Sequence, residues 1–305
     1  MKIAFIGGVK FSHDVLSEIL KNGWEISVVF TYNDNKRKFF SDFSYFDDLE
    51  QQYSFKHVKV NNINDVENVE LLKKIQPDLI LVMGWSQLLK TEIISIPKLG
   101  VIGSHPTELP KYRGRAPIPW SIIKELKESA LTFFYIEEGV DDGDILEQQN
   151  FLIDLDDDAT SIYEKVTHLG RKMILSSLSK IQSGTEKRIK QEPSLFIENW
   201  PKRTPEDGKI DWNDSSKNVL KLIRASTFPY PGAFSFYDNK KIIIWTAKSL
   251  NEQSIGVGII SSISENGIKV GTLDKNILLT KIQINEEIVD FKNSIFIPGK
   301  NFQIS

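Results

Sequence analysis

A histidine placed before a basic, proline-rich turn is an arrangement suited to acid–base chemistry. In "GVIGSHPTELPKYRGRAPIPW" a short apolar run, Val101 and Ile102, opens directly onto His105, and arginines and glycines follow at once. An imidazole exchanges protons near neutrality, and a carboxylate bonded to it fixes the tautomer and stabilises the imidazolium. The acidic loop "GVDDGD" offers Asp141, Asp142 and Asp144 for that role. A lone histidine is more often a satisfied structural residue, and two of the three aspartates read as a solvated turn. What sets His105 apart is its position at the carboxyl end of a strand, where α/β sheets gather ligands.

Other chemistries find less support. "FIGGVKFS" joins a strand to a helix but lacks GxGxxG spacing, so its glycines read as a turn and not as a dinucleotide cradle. The chain has no cysteine, which excludes disulfides, thiolate nucleophiles and Cys-ligated zinc and fits a cytoplasmic protein. Four histidines without HExxH spacing give no expectation of a metal site. A net charge of −3 demands neither a nucleic-acid nor a membrane partner. "MKIAFIGG" is too short in its apolar part for a signal peptide, and no apolar run reaches membrane-spanning length.

The elements that must position His105 follow from the pattern of apolar runs. "KIAFIGG", "WEISVVFTY", "DLILVMGW" and "LGVIGSH" read as strands apolar almost throughout. Helices alternate with them: "SHDVLSEILKNG", with Ser12 as N-cap and Gly23 as stop, and "VENVELLKKIQ", closed by Pro77. This predicts a parallel sheet covered on both faces. "SALTFFYIEEGVDDGDILEQQNFLI" reads as two strands around the acidic loop, and "DATSIYEKVTHLGRKMILSSLSKIQSG" as a long helix ended by Gly184. After the polar, Pro-rich "ENWPKRTPEDGKIDWND" come one helix, "SSKNVLKLIRAS", and five short strands, the pattern of a small barrel. The expected class is α/β: a Rossmann-like, mostly parallel sheet domain over residues 1–203, then an OB-like β-barrel over 204–305.

"SHPTELPKYRGRAPIPW" followed by Asp141 in "GVDDGD" resembles the 10-formyltetrahydrofolate-dependent formyltransferase family. "IQPDLILVMGWSQLLKTEIISIPKLG" is similar to the strand and loop that hold the pterin there. "DGKIDWNDSSKNVLKLIRASTFPYPGAFSFYDNKKIIIW" resembles the start of the family's C-terminal domain, and "FIPGKNFQIS" its closing segment. The resemblance implies that an amine attacks the formyl carbon of N10-formyltetrahydrofolate, with His105 assisting removal of the amine proton and Asp141 orienting the imidazole. It places the folate against Trp85, Gln87, Leu88, Leu89, Arg115, Glu137, Glu138, Gly139 and Val140. The family's third catalytic residue, an asparagine two positions before the histidine, is Gly103 here. Ser104, a backbone N–H or His105 itself would then face the developing oxyanion. Losing one such donor elsewhere costs roughly 10²–10³ in rate. Position 103 is read as open space beside a substitute donor.

For the amine, "RGRAP" and "PYPGAFS" look like members that formylate nucleotide-linked amino sugars. From Glu206 to the end the chain holds 12 Lys or Arg against 11 Asp or Glu, a weak basis for gripping nucleic acid. The expectation is therefore an amino-sugar substrate, with no nucleic-acid and no membrane partner. Methionyl-tRNA is the alternative, and a non-catalytic relative a further one because of Gly103. A formyl-folate hydrolase would carry an extra N-terminal domain, for which a first strand starting at Lys2 leaves no room. The apolar "IIIW" and "FSFY" strands could pair in a homodimer or fill a barrel core.

Overall fold

The computed structural model describes residues 1–303; Ile304 and Ser305, the end of "FIPGKNFQIS", lie outside the described residues. The chain divides into two compact units. The first comprises Met1–Pro117, Lys127–Ile153 and Tyr163–Pro201, the second Ile118–Leu126, Asp154–Ile162 and Lys202–Ser305.

In chain order the elements up to residue 200 are β1 (Ile3–Ile6), α1 (Lys10–Lys21), β2 (Ile26–Tyr32), α2 (Asp47–Tyr53), β3 (Lys56–Val60), α3 (Val66–Ile75), β4 (Leu79–Val82), α4 (Thr91–Ile94), β5 (Val101–His105), β6 (Tyr112–Gly114), α5 (Pro117–Ile123), β7 (Glu128–Tyr135), β8 (Ile145–Leu152), α6 (Ala159–Ser183) and β9 (Glu198–Trp200). The main sheet of the first unit runs β3-β2-β1-β4-β5-β7-β8. Its first five strands are parallel, and β7 and β8 add as an antiparallel pair. The Rossmann-like, mostly parallel sheet expected from the apolar runs is present.

Strand alternation gives each face its own core. Ala4, Ile6, Val28, Phe30, Ile80, Val82 and Val101 pack with Val69 and Leu72 of α3 and Ile93 of α4. Burying a side chain of this size stabilises by about 1.5–3 kcal/mol, so this stripe fixes the register of β5 and with it the face on which His105 emerges.

Two local expectations change. Helix α1 begins at Lys10 with Val9 as its cap, and Ser12 lies inside the first turn. The Ser12 hydroxyl reaches back to accept from the Gly8 and Val9 N–H groups at 3.2 and 3.3 Å, and donates to the Met83 carbonyl at 2.6 Å. It ties the β1–α1 turn to the end of β4 from within the helix. Strand β3, "KHVKV", was not anticipated because its lysines interrupt the apolar run. It forms because an edge strand buries little, and here only Val60 is fully buried.

The second unit holds α7 (Ser216–Ser226), β10 (Ala233–Tyr237), β11 (Lys240–Gln253), β12 (Ile260–Ser264), β13 (Gly267–Gly271), β14 (Lys275–Ile284) and β15 (Glu287–Ile288). Ser215 caps α7 by accepting from the Asn218 N–H at 3.3 Å. The antiparallel order β10-β11-β14-β13-β12, with β15 beside β14, contains the five expected strands of an OB-like unit. Register shifts along β11 bend that 14-residue strand around the core of Trp212, Tyr237, Ile242, Ile244, Ile277 and Leu279. Among the described residues no helix is long and apolar enough to cross a membrane.

Candidate active site

His105 is the last residue of β5 and is 5% exposed. Its Nε2 lies 3.2 Å from the Tyr112 carbonyl oxygen. A carbonyl only accepts, so Nε2 carries the proton and the neutral ring keeps its lone pair on Nδ1. Nδ1 faces Asp141 Oδ2 at 3.7 Å, beyond hydrogen-bonding distance but well within electrostatic reach. Burial pushes the imidazole pKa below its ordinary value of 6.5, against the opposing pull of the Asp141 charge and of the Tyr112 carbonyl. The result is a neutral base at Nδ1 whose protonated form has a carboxylate waiting beside it.

The expected division of labour within this pair is thereby changed. The Tyr112 carbonyl, not Asp141, sets the tautomer, because it is the group within hydrogen-bonding distance. Thr107 Oγ1 donates to the same carbonyl, Thr132 Oγ1 donates to the Thr107 carbonyl, and Gln148 Nε2 donates to Thr132 Oγ1. A closed polar chain thus pins the turn that carries Tyr112.

Asp141 sits at φ +50, a left-handed conformation costing an L-residue about 1 kcal/mol or more. Its Oδ2 accepts from the Gly114 N–H at 3.0 Å. Gly114 itself has φ +104, and a Cβ there would lie 2.3 Å from the Trp200 carbonyl oxygen, so only glycine brings this amide to the carboxylate. Asp142 folds back over Gly139, and the Asp144 carbonyl accepts from the Tyr135 N–H at 2.8 Å. Of the three aspartates, Asp141 is the one brought to His105.

Position 103 and its neighbour are corrected by the strand. Successive side chains alternate, so Gly103 and His105 share one face of β5 and Ser104 takes the other. The Ser104 hydroxyl accepts from the Gly84 N–H at 3.4 Å and does not stand in for a side chain at 103. Nor is the space beyond Gly103 open. A Cβ there would meet Ile136 Cγ1 at 2.9 Å, Ile136 Cδ1 at 3.0 Å and Phe134 Cε1 at 3.2 Å. Ile136, which packs against the core on that face, fills the room that a side chain at 103 would take.

The residues expected around a folate fall into two groups. Trp85 stacks on Tyr32 with centroids 3.8 Å apart, and Tyr32 stacks in turn on Phe40 at 4.2 Å. The Trp85 Nε1 is buried without a hydrogen-bond partner. Leu88, Arg115 and Glu137–Val140 are exposed, and Glu138 accepts from Thr91 Oγ1 at 2.7 Å. Gln87 and Leu89 are committed elsewhere. The Gln87 amide bonds the Ile63 N–H and the Asn61 carbonyl at 3.0 and 2.8 Å, while Leu89 is buried in the core. These two hold the loop in place.

Among the described residues one cluster resembles a metal site: Asp47, Glu50 and His57. Both nitrogens of His57 are already bonded, Nδ1 to Glu50 Oε2 at 2.8 Å and Nε2 to Thr31 Oγ1 at 2.7 Å. Lys59 lies 3.4 Å from Asp47. No lone pair is left over on His57 for an ion.

Sequence reasoning missed Tyr112, Gln191 and Ile136. Tyr112 acts through a backbone carbonyl, which has no sequence signature. Gln191 donates from Nε2 to the Asp141 and Gly143 carbonyls, each at 2.8 Å, yet stands in a polar stretch without a motif. Ile136 follows the apolar "SALTFFY" and reads as more of the same strand.

Comparisons with known proteins agree on the family. Residues 1–178 match the formyl transferase family model, and residues 202–295 match that of the formyl transferase C-terminal domain. The methionyl-tRNA formyltransferase of Clostridioides difficile (strain 630) is 32% identical over 287 residues, covering 93% of this chain and 92% of the relative. Among solved structures, the HypX of Aquifex aeolicus in complex with tetrahydrofolic acid superposes with a TM-score of 0.71 at 21% identity. The match covers 95% of this chain and 46% of HypX. The N-formyltransferase from Helicobacter canadensis, in complex with folinic acid and dTDP-3-aminofucose, gives a TM-score of 0.67 at 20% identity, covering 92% of this chain and 99% of that one. At these identities the two structures speak for the fold.

Proposed function

The chain belongs to the formyl transferase family, and from that premise we propose that it moves a formyl group from N10-formyltetrahydrofolate to the primary amine of a nucleotide-linked amino sugar. The observation carrying the transfer chemistry is the state of His105: its proton is held at Nε2 by donation to the Tyr112 carbonyl, and its bare Nδ1 faces a carboxylate.

An amine that attacks a formyl carbon must lose a proton. His105 Nδ1 accepts it as the amine nitrogen bonds to the formyl carbon. The imidazolium is steadied by Asp141 while Nε2 stays on the Tyr112 carbonyl, and the proton passes to N10 as the bond from N10 to the formyl carbon breaks and tetrahydrofolate leaves. Burial keeps the ring neutral before the event, and the nearby carboxylate lowers the cost of charging it. Such positioned proton transfer contributes typically 10²–10⁴-fold.

The donor supplies an electrophilic formyl carbon. The buried, unpartnered Trp85 Nε1 and the exposed residues Glu137, Glu138, Gly139 and Val140 fit a flat, polar-edged ring system of the folate kind, with Leu88 and Arg115 alongside. Gln87 and Leu89 keep that loop in register.

For the amine, the charge of the second unit favours a sugar over a tRNA. Lys217 and Lys221 lie against Glu125, Lys269 against Glu252, Lys292 against Glu265 and Lys300 against Asp238. These pairs take up part of the unit's cations, and 12 Lys or Arg against 11 Asp or Glu from Glu206 on is a weak footing for a phosphate backbone, whose grip rests on many Lys and Arg contacts. The second reading, formylation of methionyl-tRNA, is favoured by the relative at 32% identity. Incubation with N10-formyltetrahydrofolate and a panel of nucleotide-linked amino sugars, with charged initiator tRNA as competitor, separates the two. Tetrahydrofolate release with a sugar is the expected result. Turnover with the tRNA and with no sugar overturns it.

A further inference from the structure

The three residues of β6 hold the two members of the proton-transfer pair from three directions. The Tyr112 carbonyl accepts from His105 Nε2, and the Gly114 N–H donates to the Asp141 carboxylate. Between them, Arg113 donates through Nε and Nη2 to Gln191 Oε1 at 3.2 and 2.7 Å. Gln191 then spends both Nε2 hydrogens on the carbonyls of Asp141 and Gly143. Its amide can point only one way, since a guanidinium has donors alone and the two carbonyls are acceptors alone.

We infer that Gln191, oriented by Arg113, is a positioning residue that sets the distance between Asp141 and His105 Nδ1. The inference rests on the proposed role of His105 as base, and it deepens that role by naming what holds its carboxylate partner.

The physical argument is one of constraint. Asp141 occupies a left-handed conformation in an exposed loop, with Glu137, Glu138, Gly139 and Val140 all open to solvent. A single bond from the Gly114 amide holds the carboxylate, but it leaves the backbone free to pivot about that contact. The two bonds from Gln191 fall on either side of Asp142 and close the pivot. Arg113 is in turn steadied by the Phe196 ring, 5.6 Å from the guanidinium carbon. Because β6 carries Tyr112, Arg113 and Gly114 consecutively and pairs with β9, a shift of β6 moves both members of the pair together and preserves their separation. Misplacing a catalytic group by about 1 Å can cost on the order of 10²-fold in rate, so a brace of this kind has a measurable consequence.

The test uses the full chain with Gln191→Ala and Gln191→Met, the second matching the side chain's length while lacking the amide. His105 is one of four histidines, so its ring resonances can be assigned by their loss in His105→Asn and followed against pH by NMR. Freeing the Asp141 loop weakens the electrostatic support of the imidazolium, so the His105 titration is expected to move to lower pH in both variants. The kcat for formyl transfer is expected to fall by roughly 10–100-fold. Where the alanine variant fails to fold, the methionine variant carries the test. A His105 titration unchanged in a folded variant overturns the inference, whatever the rate does. A shifted titration upholds it even if no amine is formylated by the unmodified protein, an outcome that would instead overturn the proposed function.

Discussion

Among the described residues of the first unit, the two most deeply buried histidine side chains both face a carboxylate, and the tighter pair is the less reactive. His57 and Glu50 meet at 2.8 Å, and the other His57 nitrogen accepts from Thr31 at 2.7 Å. His105 and Asp141 stand 3.7 Å apart. Judged by distance alone, His57 looks like the oriented base. Yet a ring with both nitrogens saturated has no lone pair to offer, whereas His105 is anchored at one nitrogen and bare at the other. Their places in the sheet agree. His57 lies near the start of edge strand β3, His105 at the carboxyl end of β5, where ligands approach such sheets. Short contacts mark a satisfied residue, and the looser pair is the one poised to change its protonation.

The largest effect is expected from exchanging the two histidines for asparagine in separate variants. His105→Asn is expected to lower kcat by about 10²–10⁴-fold, the range for loss of a positioned base. His57→Asn should leave kcat within a few-fold and instead cost roughly 1–3 kcal/mol of stability, because the Thr31 and Glu50 groups lose their partner. Steady-state kinetics beside denaturant titration checks both. Comparable losses of kcat at the two positions would break the comparison.

Next comes Asp141→Asn, which should lower kcat by a smaller factor and move the acid limb of its pH profile. That limb follows deprotonation of His105, which burial places below 6.5. The Asp141 charge opposes the depression, so removing it shifts the limb to still lower pH. A shift toward neutrality would contradict the assigned geometry. The double change His105→Asn with Asp141→Asn should cost little more than His105→Asn alone, since residues acting as a unit are not additive.

Smaller still is the effect at position 103. Gly103→Asn should destabilise by about 1–3 kcal/mol through overpacking against Ile136. Adding Ile136→Ala should recover part of that loss, which thermal unfolding of the single and double variants would reveal. Additive losses would show that Ile136 is not the obstacle. The smallest effect belongs to Ser104→Ala. With its hydroxyl on the far face of β5, kcat should stay close to that of the unmodified protein, and a large drop would mean that Ser104 reaches the reacting atoms.

Much of this arrangement was legible in the residues. Uninterrupted apolar runs such as "LILVMG" and "GVIGSH" marked the strands that a parallel sheet buries on both faces, and the break from apolar run to histidine placed His105 at a strand end. Asp141 was separable from Asp142 and Asp144 only through the family resemblance, since composition cannot say which of three acids in a turn points inward. Strand β3 escaped notice because its alternating lysines suit an edge and imitate a loop. Gln87 and Leu89 were expected to touch ligand because they sit in the right loop, but one amide and one apolar side chain were taken up by the loop's own backbone and core.

What the sequence determined by itself is periodicity and inventory: which runs are apolar enough to be buried, where they stop, and which titratable groups stand at the stops. Those depend on near neighbours along the chain. The tertiary structure alone decided the rest. Alternation along β5 sent Ser104 away from His105, Ile136 on the segment after β7 filled the space at Gly103, the turn after β5 folded the Tyr112 carbonyl back onto the ring, and the Gln191 amide arrived from a distant segment to fix the Asp141 loop. Most of these contacts cross between elements, often through backbone atoms that every residue shares. No spacing in the chain encodes them, because the packed sheet is what brings them within hydrogen-bonding distance.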